Sequence, residues 1–179
     1  MLNWPKQFPT LETERLVLRR TTKKDASSLF RCYSDPEIMQ YLGTPLDNED
    51  SIGGILDEYI NGFEEGYNLI WVLEVKENGT FAGTAGYESF SFLDNKADIG
   101  FTLLQSHQRI GYMAEALKAV ITFGTNTLKL KRIQATVVKE NKLSVNLFTK
   151  LGFCNEGLMS QSVFFCDKYH DELIYAKVN

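Results

Sequence analysis

Apolar positions along this chain either alternate or recur at helical spacing, and each change of rhythm marks an element. Residues 15–20 (RLVLRR) alternate, with Leu16 and Leu18 on one face, and predict a first strand. Residues 1–13 ahead of it read as a loosely held arm. Ala26, Leu29, Phe30 and Tyr33 then fall at helical spacing. Asp35-Pro36 starts another short helix through Ile38, Met39 and Leu42, since proline is accepted in a first turn. Asp50 or Ser51 can cap a longer helix whose apolar positions run Ile52, Ile55, Leu56, Tyr59, Ile60 and Phe63.

Residues 69–75 (LIWVLEV) are nearly all apolar, as a central strand requires, and Asn78-Gly79 is a hairpin signal before a small-residue strand at 81–87. The cluster 93–96 turns the chain into an alternating run at 99–104. A helical pattern opens at Gly111 and keeps Leu117, Val120, Ile121, Gly124 and Leu128 on one face. Residues 133–138 alternate, 144–151 form a short helix stopped by Gly152, and 153–158 and 162–178 are the last strands, paired as a hairpin across a loop. Strands broken by helices predict an α/β (α+β) fold of three layers around one mixed sheet.

Length and composition change little. The 179 residues fit one domain (1–179, core about 13–176), and 44% apolar with 23% charged is ordinary for a globular chain. The net charge of −4 argues against a general nucleic-acid binder. The first ten residues lack the apolar core of a signal peptide, and no run approaches a membrane span, so cytoplasmic residence is expected, with no membrane partner. Cys32, Cys154 and Cys166 show no paired spacing and read as reduced thiols, Cys154 as a small buried hydrophobe. His107 and His170 have no ligand-spaced companions, so no metal site is inferred.

Two segments carry candidate chemistry. In residues 98–116 (DIGFTLLQSHQRIGYMAEA), a strand, a polar turn and a helix start follow one another. Unpaired N–H groups and the helix dipole make such a start an anion site. Gly111 allows close backbone approach, yet a single glycine equally fits a plain strand-to-helix turn. Asn141 and Ser144 read either as polar groups aimed at a ligand or as helix caps.

The ordered set Glu14-Arg-Leu-x-Leu-Arg19, Ser34-Asp-Pro-Glu-Ile-Met39, Gly83-Thr-x-Gly86, Asp98-Ile-Gly-Phe101, Gln108-x-x-Gly111-Tyr-x-x-Glu115-Ala116, Glu140-Asn-x-x-Ser144, Leu151-Gly-Phe153 and Glu156-Gly157 resembles the GNAT superfamily of N-acetyltransferases. Within it the chain is most similar to the Rim-type ribosomal-protein acetyltransferases. The resemblance implies a mostly antiparallel sheet splayed between its fourth strand (99–104) and fifth (133–138), with acetyl-CoA in the cleft. It implies that main-chain groups of Phe101, Thr102 and Leu103 bind the pantetheine arm. The pyrophosphate falls to Gln108, Arg109, Ile110, Gly111, Tyr112, Met113 and Ala114, with Asn141 and Ser144 beside them.

The implied activity is acetyl transfer to a primary amine, a protein N-terminal α-amino group before a small-molecule amine. A non-catalytic acetyl-CoA-binding module is the alternative, and a homodimer is also implied by likeness. Met113 stands where the family has a small residue, and Arg109 where many relatives have glycine. Phe148 occupies the place of the tyrosine that protonates the leaving thiolate in many relatives, so the resemblance passes that role to Ser144. Val163 stands where some relatives hold a catalytic carboxylate. Asp98 is then the first candidate base and Glu88 the second, each needing burial to raise its pKa. Tyr33, Tyr41, Trp71 and Tyr87 could line an acceptor groove, although aromatics are more often core.

Overall fold

A computed structural model describes residues 2–179. One eight-stranded sheet runs in the order β1 (Leu11–Glu12), β2 (Leu16–Arg20), β3 (Leu69–Val75), β4 (Phe81–Ser91), β5 (Lys96–Leu103), β6 (Arg132–Val138), β8 (Lys168–Val178), β7 (Cys154–Phe165). Every neighbouring pair is antiparallel except β5 and β6. The three expected layers are present. Helices α1 (Ala26–Tyr33) and α3 (Ile52–Glu65) bury Leu29, Ile52 and Tyr59 with Ile70 on one face. Helices α4 (Tyr112–Phe123) and α5 (Lys142–Lys150) cover the other, where Leu117, Val120 and Phe148 join Leu16, Trp71, Ile133 and Tyr175. The short α2 (Pro36–Met39) starts as the Asp-Pro signal predicts, with Asp35 Oδ1 accepting from the N–H of Glu37 and Ile38.

The expected fourth and fifth strands are β5 and β6, and they do splay. They pair only at Lys96–Arg132, Ala97–Ile133 and Asp98–Gln134. Beyond Asp98 the strands separate, and one edge of β5 is left open.

Three expectations are corrected. The N-terminal segment is not loose: Leu2 joins the core, Trp4 stacks on Phe63 at 5.5 Å, and Trp71 Nε1 donates to the Pro9 carbonyl at 2.7 Å. Its aromatic residues supply the apolar area that holds it down. The last hairpin turns at Cys166-Asp167 (φ 48° and 56°), not at 158–162, where β7 instead carries a bulge between Met159 and Val163. Cys154 is exposed, because Phe153 takes the core position and the next side chain leaves the edge strand toward solvent. No helix among the described residues is long and apolar enough to cross a membrane.

Candidate active site

The open edge of β5 is the floor of the site. The Leu104 N–H donates to the Ala82 carbonyl at 2.9 Å, which fixes the phase of the β4–β5 ladder. Antiparallel bonding alternates, so Thr102 and Gly100 bond to β4, while N–H and C=O of Phe101 and Leu103 face the splay. Gln108 Nε2 takes the Leu103 carbonyl at 3.1 Å. The Leu103 N–H and both main-chain groups of Phe101 remain for an extended ligand, which would add to β5 as a strand.

The chain leaves β5 through a turn with two left-handed residues, Arg109 (φ 63°) and Gly111 (φ 91°), the second being the N-cap position of α4. This turn, the end of β5, α2 and the start of α5 enclose a cleft of about 840 Å³. Phe101, Thr102, Leu103, Gln108, Arg109, Gly111, Tyr112, Met113, Ala114, Asn141 and Ser144 all line it, as do Lys142 and Tyr41. Ile110 does not: its side chain is half exposed and its carbonyl accepts from Arg15 Nη1 at 2.9 Å. Met113 is buried in the wall.

A second cavity of about 390 Å³ lies where β4, β5, β6 and β8 meet. It shares Tyr41, Leu42, Phe101, Asn141 and Ser144 with the first cleft. Three carboxylates line it, from Glu88, Asp98 and Glu172, with neither Lys nor Arg among its described walls. Asp98 has both oxygens engaged, one with Ser89 Oγ at 2.6 Å and one with Gln134 Nε2 at 2.7 Å. Glu172 accepts from Ser162 Oγ at 2.8 Å.

Glu88 reaches the cavity through a β-bulge. The register of β4 against β5 slips between Tyr87 and Ser89, so Glu88 is an extra residue, and bulges re-aim side chains in this way. Its carboxylate lies over Gly100, where a Cβ would come within 1.9 Å of Oε1. Burial, then the charges of Asp98 and Glu58, push its pKa above the usual carboxylate value. By surface area Glu88 is exposed, because its carboxylate opens into the cavity, and the rise follows from the protein packed around that cavity and from the neighbouring carboxylates.

Ser144 sits on the wall common to both cavities. Asn141 caps α5, its Oδ1 accepting from the Ser144 N–H at 3.1 Å, so the Ser144 hydroxyl is not the cap. Phe148 is buried against Phe101, Phe153 and Tyr175 at centroid distances of 5.9, 5.1 and 6.1 Å. Trp71 and Tyr87 are core, and Tyr33 hydrogen-bonds Tyr59, leaving Tyr41 as the one of the four aromatics on the cavity walls. Glu172 was missed in the sequence. Its only signal there is its place in the alternation of β8, which becomes meaningful once β8 is known to lie beside β6.

Comparison with known proteins fits this geometry. Residues 15–154 match the family model described as "Acetyltransferase (GNAT) domain". The chain is 32% identical over 174 residues to a Bacillus subtilis protein named uncharacterized N-acetyltransferase YoaA, covering 96% of this chain and 97% of that one. It is 24% identical over 170 residues to the Escherichia coli ribosomal-protein-serine acetyltransferase, covering 93% and 94%. Among solved structures, the RimL ribosomal L7/L12 α-N-protein acetyltransferase in complex with coenzyme A superposes with a TM-score of 0.87 at 20% identity, over 95% of this chain and 98% of that one. An open β5 edge, a glycine turn at a helix start and a family match spanning both agree: the chain belongs to the GNAT family of acetyltransferases.

Proposed function

We propose that the protein transfers the acetyl group of acetyl-CoA to a primary amine, with a protein N-terminal α-amino group as the acceptor. The observation that carries this reading is the junction of the two cavities. A cleft offering main-chain N–H groups and a helix N-terminus suits a phosphate-bearing donor. A cavity walled by three carboxylates suits an ammonium group, and the two meet at Ser144. The ribosomal-protein acetyltransferases among the relatives support the α-amino acceptor. The compact second cavity favours a small-molecule amine as the other reading.

The residues then divide the work. Phe101 and Leu103 hold the pantetheine arm, and the amides at 111–114 hold the pyrophosphate. The amine must lose a proton to attack the thioester carbon. Glu88 is the stronger base candidate of the two carboxylates, because its pKa is raised and no donor holds its oxygens among the described residues; both Asp98 oxygens are engaged. The charge of Asp98 beside Glu88 helps to raise its pKa. As nitrogen bonds to the acetyl carbon, the Phe101 N–H, on the wall common to both cavities, faces the carbonyl oxygen that gains charge. The C–S bond breaks, Ser144 hydrogen-bonds the departing sulfur, and the thiol takes up a proton equivalent to the one the amine released. Phe148 has no proton to offer there. A panel of N-terminal peptides and small amines, incubated with acetyl-CoA and read by mass spectrometry, tests the reading. Absence of any acetylated acceptor together with absence of CoA release would overturn it.

A further inference from the structure

The Glu14-Arg-Leu segment has no part in the chemistry above, yet Arg15 meets the back of the Gly111 turn. Its Nη1 donates to the Ile110 carbonyl at 2.9 Å. Its Nε donates to Glu115 Oε2 at 2.7 Å, and its own main-chain N–H to Glu115 Oε1 at 2.8 Å. Thr13 Oγ1 adds a bond to the same Oε1 at 2.6 Å. The guanidinium also lies 4.7 Å from the centroid of the Tyr112 ring. Arg15 and Glu115 are absent from the described walls of the cleft. The contacts therefore come from behind, on the side of the turn away from the ligand.

We propose that Arg15 is a positioning residue of the donor site, which fixes the direction of the Ile110–Gly111 peptide through its bond to the Ile110 carbonyl. The inference rests on reading this turn as the pyrophosphate site. A trans peptide carries its C=O and the following N–H in opposite directions. Drawing the Ile110 oxygen back toward Arg15 therefore turns the Gly111 N–H into the cleft. Gly111 has no Cβ to oppose rotation of that peptide, and turn types with opposite orientations of one peptide are close in energy when glycine is present. Without Arg15, the flipped turn would present a carbonyl oxygen to the phosphates. Glu115 orients the arginine: it takes Nε and the main-chain N–H, leaving Nη1 aimed at Ile110. Burial opposes the Glu115 charge, but the bonds from Thr13 and Arg15 outweigh it and lower its pKa, so the carboxylate is ionised at neutral pH.

The test compares the full chain with Arg15→Met and Arg15→Lys, using titration calorimetry with CoA and with pantetheine, which lacks the pyrophosphate. Arg15→Met is expected to weaken CoA about tenfold or more and leave pantetheine within twofold. Arg15→Lys keeps one donor but cannot serve Glu115 and Ile110 together, and is expected to fall between wild type and Arg15→Met. If Arg15→Met does not fold, Arg15→Lys carries the test with an expected loss of at least threefold for CoA alone. CoA affinity within twofold of wild type in both variants, or equal losses for CoA and pantetheine, would overturn the inference alone. Wild type that binds CoA no better than pantetheine would overturn the pyrophosphate reading and the inference with it.

Discussion

Glu88→Gln keeps the shape of the second cavity and removes both its base and one of its charges. A positioned general base contributes roughly 10²–10⁴ in rate, or about 3–5 kcal/mol of barrier. The fall in kcat is therefore expected to be at least a hundredfold at pH 7. The variant should at the same time be more stable. Glu88 has a raised pKa in the folded protein, so the native state binds its proton more tightly than the unfolded chain does. Stability then falls as pH rises from the ordinary carboxylate pKa to the raised one, and the penalty is complete above the raised pKa. Glutamine carries no such penalty, so Tm should rise at pH 7 and match wild type near pH 4. A second variant separates charge from position. Gly100→Ala places a methyl group 1.9 Å from Glu88 Oε1, and the flexible carboxylate must swing aside. It should lose activity while retaining the charge. CoA release with the best amine of the panel, followed between pH 5 and 9, is the assay. Wild type should show an acid limb from Glu88 that Glu88→Gln lacks. A Glu88→Gln enzyme within threefold of wild-type kcat at pH 7, with its acid limb intact, would refute the assignment.

Three other outcomes are expected. Ser144→Ala should lower turnover about a hundredfold, while calorimetry shows CoA affinity within threefold of wild type. Gly111→Ala forces a side chain into a φ of 91° and brings its Cβ to 3.2 Å from Arg15 Nη2; at about 1–2 kcal/mol for that conformation, CoA affinity should fall about tenfold. Asp25→Asn should cost about 3 kcal/mol in urea unfolding, because Asp25 is buried and holds both Nη1 and Nη2 of Arg19 at 3.0 and 2.8 Å. Burial raises the Asp25 pKa, but the Arg19 and Thr22 bonds reverse that and lower it. The contribution is therefore present above the ordinary carboxylate pKa and lost as pH falls through the lowered one, and Asp25→Asn should flatten that acid limb.

The central elements were legible because their patterns are local. Residues 69–75 form β3 as the nearly all-apolar run predicts, and Asp35-Pro36 opens α2 through a cap that its own side chain supplies. The turn at Gly111 was legible as strand, turn and helix start, but not its two left-handed residues, since arginine at φ 63° is held by the surroundings and not by its own preference. Glu88 was ranked behind Asp98 because a bulge is a relation between two strands, and β4 alone contains no sign of it. The final turn was misplaced because a two-residue hairpin turn usually announces itself as Asn-Gly, and Cys166-Asp167 does not. The aromatics of the N-terminal segment were too widely spaced to form a periodic pattern, so their docking on Phe63 and Trp71 had no local signature.

The bulge in β7 has a consequence for the molecule in company with its own copies. β7 is the outermost strand at one side of the sheet, twelve residues long, with the main-chain groups of alternate residues facing outward. An edge of that length is a template on which a second chain could zip, leading to aggregation. The break between Met159 and Val163, with Gln161 at φ 50°, interrupts the row of donors and acceptors, and Ser160, Gln161 and Ser162 make the interruption polar. Two short, misaligned stretches replace one long adhesive edge.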